Sequence, residues 1–483
     1  MKLKRYSLLL SLALAACAHI PSDPHQVAVN DFAGAQYAAS IHLARDGWPD
    51  ARWWTRYQDP QLDALVERAL RDSPTLAVAA QRVAGANAAL AVSSSAGGAS
   101  TSLAAGLNRQ RYSGNGLFPE PIGGNFFNDA SVQVKAGYDF DWWGKHRAEV
   151  AASLGEVNAR LAERAQAERT LAAAVAQSYF HWQFLSARAQ ATRALAALQE
   201  ELVGERRQRV ARGLANIDEQ KIAERDLGAL REQALGLDAQ AAREREALRA
   251  LVGDSAGSAL ELQARPVNAG VASLPSRLGM DLLARRPDLQ AARWRIEAML
   301  GRVAASQAAF YPDINLAGAF GLDAVSLGRL LRPNSRTMLL GSAIELPLFD
   351  SRRLSADLGV ARVERDAAIA DYNAAVARAV GEVAEEGATL QGLEHEAAAH
   401  QATRASSAEL VATNTRRMQA GLADRGAVLL ARQSLLRQDD IGLQQQDAAL
   451  QTEVALIRAL GGGYQTSTAT ATATAALPAN KIN

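Results

Sequence analysis

Cysteine is nearly absent. Cys17 is the single one in 483 residues, so neither a disulfide framework nor a zinc site of paired thiolates can be built. Excess charge of one sign is missing too. Lys and Arg total 52 against 51 Asp and Glu, a net charge of +1. That balance offers no footprint for nucleic acid. The seven histidines are scattered, and His395 and His400 lie five apart rather than at metal-pair spacing on one helix face. There is no phosphate-cradling glycine loop and no nucleophile elbow. Acidic pairs such as Glu385-Glu386 read as a solvated helix face. An enzyme therefore finds no side chains to work with, and no metal or soluble cofactor is expected. Beyond the N-terminus, no apolar run approaches the length of a membrane helix. Proline is sparse in long stretches rich in Ala, Leu, Arg, Gln and Glu, the composition of long helices.

What is present begins with a targeting segment. Lys2, Lys4 and Arg5 form a charged start, and Leu8 to Leu14 a short apolar core. Leu14-Ala15-Ala16-Cys17 follows, as where a bacterial lipoprotein signal is cut and acylated. The expectation is N-acyl and diacylglycerol lipid on Cys17. Ala18 is not Asp, which by resemblance to sorted lipoproteins implies outer-membrane delivery.

Two stretches alternate with period two. Val132, Val134, Ala136, Tyr138, Phe140 and Trp142 fall on one face, with Ser131, Gln133, Lys135, Gly137, Asp139 and Asp141 on the other. The pattern returns as Met338, Leu340, Ser342, Ile344, Leu346 and Leu348 against Leu339, Gly341, Ala343 and Glu345. Such strands have one apolar and one wet face and are long enough to cross a bilayer when tilted. Each feeds a helical pattern of about 100 Å at ~1.5 Å per residue. Weaker alternation over 101–108 and 313–322 adds one strand before each.

The plan is thus two copies of helix, strand, loop, strand, long helix, turn, helix. Residues 1–16 are the signal and 17–47 a lipidated tether. The first repeat is 48–252, with strands near 101–108 and 130–142 and helices near 145–211 and 218–251. An irregular connection covers 253–285. The second repeat is 286–463, with strands near 313–322 and 336–348 and helices near 352–419 and 424–460. A Thr/Ala-rich tail, 464–483, reads as disordered. Four strands cannot close a membrane barrel, and open edges in lipid leave backbone groups unpaired. Several chains must share one barrel: two would give a narrow, filled one, three an open lumen of twelve strands.

Six stretches carry a family resemblance: Ile41-His42-Leu43-Ala44 with Gly47-Trp48-Pro49; Asp59-Pro60-Gln61-Leu62-Asp63-Ala64-Leu65; Asp141-Trp142-Trp143-Gly144; Leu282-Leu283-Ala284-Arg285-Arg286-Pro287-Asp288-Leu289-Gln290; Leu346-Pro347-Leu348-Phe349-Asp350; and Leu460-Gly461-Gly462-Gly463-Tyr464. With them the mature chain resembles outer-membrane efflux proteins of the TolC and OprM type, in the NodT-like lipoprotein branch. The resemblance implies a homotrimer: a twelve-stranded outer-membrane barrel continued by a periplasmic tube of helices. It implies two further partners, a periplasmic adaptor (membrane fusion protein) and an inner-membrane efflux transporter, and no enzymatic activity.

The resemblance also assigns sites. The turns Gly213-Leu214-Ala215 and Gly421-Leu422-Ala423 would be the tips that dock the adaptor; a plain hairpin turn is the alternative. Family members often narrow the tube with aspartates after the second tip, in a pattern like Asp-Val-Leu-Asp-Ala. Here the run is Ala427-Val428-Leu429-Leu430-Ala431, with both acids replaced. An apolar constriction at Leu430, or charge contacts from Asp424, Arg425 or Asp218, would stand in for them, against the alternative of solvated tip charges. Trp142, Trp143 and Phe349 sit where strand becomes helix, as membrane-interface aromatics or as core. The expected function is a passive exit duct for drugs or toxic small organics. The rivals are the outer component of a protein-secretion system and a lipid-anchored periplasmic scaffold.

Overall fold

The computed structural model describes residues 20–23, 26–30, 47–254, 260–265, 284–347 and 349–464. Cys17, most of the tether, most of the 253–285 connection and the tail from 465 lie outside the described residues. Two compact units can be distinguished.

The first unit carries the strands: β1 (Ser100–Arg111), β2 (Phe126–Phe140), β3 (Asp313–Ala324) and β4 (Arg336–Glu345). They form one antiparallel sheet in the order β1-β2-β3-β4. Among the described residues β1 and β4 have no strand partner on their outer edges. Register puts Leu103, Val134, Phe320 and Met338 in one row across the sheet. Neighbouring rows on that face hold Val132 with Leu322, and Phe140 with Ile314 and Ile344. Among the described residues nothing covers this face: Leu103 is 72% exposed and Leu340 76%. The opposite face carries Ser102, Lys135, Ala319 and Leu339, then Ala104, Gln133, Gly321 and Thr337. Small residues there let the strands approach closely. A Cβ on Gly321 would lie 2.2 Å from the Val132 carbonyl oxygen, which no side chain tolerates.

The strands differ from their expected limits in a consistent way. At the loop end β1 runs on to Arg111 and β2 starts at Phe126, because Arg109 to Arg111 still pair with Phe126 to Asn128. At the helix end β2 stops at Phe140 and β4 at Glu345, so Trp142 stands outside the strand. Asp141 turns away to cap the following helix, accepting from the amides of His146 (2.9 Å) and Arg147 (3.0 Å). Pro347 has no amide to give to a ladder.

In sequence order the helices are α1 (Pro60–Asp72), α2 (Pro74–Ala96), α3 (Lys145–Ala211), α4 (Ile217–Leu251), α5 (Pro287–Ala308), α6 (Ser351–Gln419) and α7 (Arg425–Ala459). The repeat is nearly quantitative: α3 and α6 have 67 and 69 residues, α4 and α7 35 each. In the first unit α3 crosses α5 at two glycines. A Cβ on Gly155 would meet Ala298 N at 2.9 Å, and one on Gly301 would meet Ala152 N at 2.8 Å. Val303, Phe310, Leu354, Leu358 and Ala361 form the apolar cluster there.

The second unit holds the largest core. Trp53, Trp54 and Tyr57 of a short 3-10 turn pack with Leu62 and Val66 of α1 against Val175, Tyr179 and Phe180 of α3. Leu248 of α4 and Val454 and Ile457 of α7 close it. Within it Tyr179 donates to Asp59 at 2.5 Å, and Gln183 donates to Tyr179 at 2.7 Å. Two family stretches meet in this unit. Arg286, nearly buried, forms a bidentate pair with Asp288 and also donates to Glu382 (2.9 Å) and to the carbonyl of Ala459 (3.0 Å). A Cβ on Gly461 would lie 2.0 Å from the Arg285 carbonyl oxygen. The Arg-Arg-Pro-Asp and Gly-Gly-Gly runs are two sides of one contact.

One expectation is corrected. Pro60–Ala96 contains a window of mean hydropathy 1.2, enough by length and composition for a membrane helix. Alanine is the commonest residue there, so no run of large residues marks it, and Ser73-Pro74 divides it into α1 and α2.

Candidate functional site

The two Gly-Leu-Ala turns share one construction. Gly213 and Gly421 have φ of +72° and +75°, where glycine is at ease. Leu214 N donates to Arg209 O at 2.8 Å and Gly213 N to Val210 O at 2.9 Å. Leu422 N donates to Arg417 O at 2.8 Å and Gly421 N to Met418 O at 3.0 Å. Both are Schellman caps, which satisfy the last helix carbonyls. Leu214 and Leu422 are left pointing outward, 66% and 78% exposed. Ala215 and Ala423, half-buried, complete the tips.

Next to the tips α3 is tied to α7. Arg209 Nη1 donates to Asp424 Oδ2 at 2.9 Å, and Asp424 Oδ1 caps α7 by accepting from Ala427 N at 2.9 Å. Arg425 Nη2 donates to Glu201 at 2.7 Å. Above them Gln433 donates to Gln199 (2.7 Å), both buried, and Gln199 donates on to Ala223 O of α4 (2.9 Å). Arg188 donates to Asp440 at 2.8 Å, and His181 Nδ1 lies 2.7 Å from Asp447. Gln177 and Gln451 exchange side chain-to-backbone bonds. From His181 to Arg188 is seven residues, and so is the return from Asp447 to Asp440, as an antiparallel pair of helices requires. The seam between the two hairpins is therefore polar along much of its length.

Of the gate candidates, Asp424 and Arg425 enter this seam. Asp218 does not: it belongs to the α4 start, where Asn216 Oδ1 accepts from its amide at 3.3 Å. Leu430 is 48% exposed between buried Leu429 and nearly buried Ala431, so it points away from the hairpin packing. Sequence reasoning missed Arg209, Glu201, Glu205 and the Gln199–Gln433 pair. Glu205 has one buried carboxylate oxygen with no hydrogen bond, and a Cβ on Gly426 would approach that oxygen to 3.2 Å. Arg and Glu are so common on these helices that only the antiparallel register singles these out.

The interface aromatics separate into different environments. Trp143 stacks on Tyr311 at 4.5 Å and donates Nε1–H to Pro312 O at 2.9 Å. Trp142 continues an edge-to-face series from Tyr138 and Phe140 on the apolar side of the sheet. Phe349 is 98% exposed. A few residues after Cys17 in sequence, Asp23 accepts from Arg365 Nη1 at 2.7 Å, while Arg362 donates to the carbonyls of Pro21 (2.7 Å) and Ser22 (2.8 Å). Among the described residues no group of three His, Cys, Asp or Glu could hold a metal ion.

The model of a family described as outer membrane efflux protein matches residues 65–254 and 278–462. The multidrug resistance outer membrane protein MdtQ of Escherichia coli O6:H1 is 34% identical over 94% of this chain and 97% of its own length. MdtP of Escherichia coli K12, another multidrug resistance outer membrane protein, is 35% identical over 94% of each chain. Among solved structures, the outer membrane protein VceC of Vibrio cholerae superposes with a TM-score of 0.77 at 31% identity, covering 86% of this chain and all of its own. The CmeC outer membrane channel of Campylobacter jejuni shares the fold at a TM-score of 0.81 and 20% identity, over 95% and 97% of the two chains. With both repeats matched, and relatives covered almost end to end, the chain belongs to the outer membrane efflux protein family.

Proposed function

We propose that three copies of this chain form the outer-membrane duct of a tripartite efflux system, a passive exit for drugs or toxic small organics. The observation that carries this reading is the sheet: four strands, one uncovered apolar face, one face mostly of small and polar residues, and two free edges. Free edges in lipid cost several kcal/mol per unpaired backbone group, so β1 of one copy pairs with β4 of the next. Two copies would give eight strands and a filled interior; three give twelve and room for solutes. The drug-resistance names of MdtQ and MdtP support the cargo class.

The exposed leucines at the duplicated tips are the docking points for a periplasmic adaptor, which links the duct to an inner-membrane transporter. The chain needs no chemistry of its own: the transporter drives the cargo, and this protein opens. The tip end of the seam between α3 and α7 suits that task, because its exposed ion pairs can exchange for water at little net cost. Arg209–Asp424 and Arg425–Glu201 hold the tips together at rest, and Leu430 narrows the lumen. Acyl chains on Cys17 add an anchor to the barrel.

Single-channel recording in a planar bilayer tests the reading. A Val134→Arg or Leu340→Arg substitution places a charge on the lipid-facing side, at about 2–4 kcal/mol near the midplane. Each should abolish insertion and conductance, whereas Gln133→Arg on the other face should insert and change ion selectivity. Normal insertion of the first two variants would overturn the barrel.

A further inference from the structure

The register places three arginines on the apolar face at its loop end. Arg109 and Arg111 continue the β1 row of Leu103, Ala105 and Leu107. Arg336 begins the β4 row of Met338 and Leu340, opposite Leu322 of β3. All three are exposed. None forms an ion pair among the described residues; the Arg109 guanidinium stacks on Phe126 at 5.4 Å. The helices leave the sheet from its other end, so this end faces the outside of the cell. This step rests on the barrel reading above.

Arginine on a lipid-facing surface is costly at mid-bilayer and nearly free at the headgroups. Its planar fork matches a phosphate with two parallel hydrogen bonds. The loop at the same end, 325–335, adds Arg329 and Arg332 among exposed Val325, Leu327 and Leu331, the last 87% exposed. Apolar side chains interleaved with arginine suit a lipid surface rather than a free anion in water. Arg109 and Arg111 lie on one free edge of the sheet and Arg336 on the other. Pairing of β1 with β4 of the next copy gathers all three at each junction, so the cluster is complete only in the assembly.

We propose that Arg109, Arg111 and Arg336 form, at each junction between copies, a clamp for the phosphates of outer-leaflet lipid. The clamp both seals the seam and fixes the depth of the barrel.

The test uses the full chain, reconstituted and checked first for conductance. Wild type and the Arg109→Gln/Arg111→Gln/Arg336→Gln variant are then offered mixed micelles of bis-phosphorylated lipid A and its dephosphorylated form, and retained lipid is counted by native mass spectrometry. Wild type should prefer the phosphorylated lipid by about tenfold or more, the size of one charge-assisted bond. The variant should conduct normally and lose the preference. The triple Lys variant should keep part of it, since charge remains without the fork. Equal preference in the conducting Gln variant would overturn the clamp alone. Displacement of the lipid by millimolar inorganic phosphate would overturn it in favour of a plain anion site. A wild type that does not conduct would overturn the duct reading with it.

Discussion

Arg209 Nη1 and Asp424 Oδ2, 2.9 Å apart, join the tips of the two hairpins, while the other Asp424 oxygen caps α7. The two jobs of this carboxylate can be separated. Asp424→Asn keeps an acceptor for Ala427 N and removes the charge; Arg209→Ala leaves the cap untouched. The pair is partly exposed, so either change costs only about 0–1 kcal/mol of stability. Asp424→Ala also removes the cap, worth about 1 kcal/mol more. Both charge-removing variants should raise resting single-channel conductance at low salt. The gain over wild type should shrink at about 1 M salt, where screening reaches ~3 Å and weakens the native pair as well. Unaltered conductance in both would remove the latch from the mechanism.

His181 gives the seam a pH dependence. Its pKa is raised above the ordinary value, first by the hydrogen bond to Asp447, against partial burial, with Glu244 adding to the rise and Arg188 opposing it. A raised folded-state pKa means stability that is full below the unfolded value and lost as pH rises through the folded one. The midpoint of heat dissociation should therefore fall as pH is taken from about 6 upward past that raised pKa. His181→Gln should flatten this segment of the profile, and Asp447→Asn should shift it to lower pH. A wild-type profile identical to that of His181→Gln would contradict the assignment.

Arg286 is a different kind of ion pair. Its side chain is 8% exposed, and Asp288, Glu382 and the Ala459 carbonyl surround it. Removing Arg286 costs about 1–3 kcal/mol, because its charge-assisted bonds and the partner of the Ala459 carbonyl are lost while the half-exposed carboxylates can turn to water. Arg286→Ala should sharply reduce the yield of folded assembly, and Arg286→Lys should recover part of it without the bidentate contact. Gly461→Ala tests the same junction from the other side. At φ +94°, and with a Cβ 2.0 Å from Arg285 O, it should be nearly as damaging. Wild-type yield and heat resistance in both variants would deny the junction its structural role.

Alternation and heptad spacing made the elements legible because they record burial, and burial follows the 2.0 and 3.6 periods. Leu227, Ala234, Ala241 and Leu248 fall on one heptad position and are all buried. The glycines of the two tips declared their turns for a related reason, since positive φ restricts residue choice. The polar seam left no such mark. Gln199, Gln433, Arg188 and Asp440 lie on helices crowded with similar side chains, and only the pairing of distant helices selects them. The lipid-side arginines were hidden by the expectation that β1 ends near Asn108; three more residues of pairing bring Arg109 and Arg111 onto the sheet.

Residues 20–23 are held to α6 by side chains that a swinging tether would not need. Arg365, its side chain 5% exposed, donates to Asp23 at 2.7 Å and also pairs with Asp366. Arg362 donates to the carbonyls of Pro21 and Ser22, and Ile20 packs beside the Leu354–Leu358 cluster. Buried charge-assisted bonds of this kind are worth about 1.5–3 kcal/mol each. Arg365→Ala/Arg362→Ala should therefore release the segment while leaving the strands and hairpins folded. In limited proteolysis of detergent-solubilised protein, the double variant should be cut within residues 20–30 several times faster than wild type. Cleavage elsewhere should be unchanged. Asp23→Asn, which keeps an acceptor but not the charge, should fall between the two. Equal cleavage rates in all three proteins would mean that the arginines serve α6 alone and that the N-terminal segment rests on it without being held.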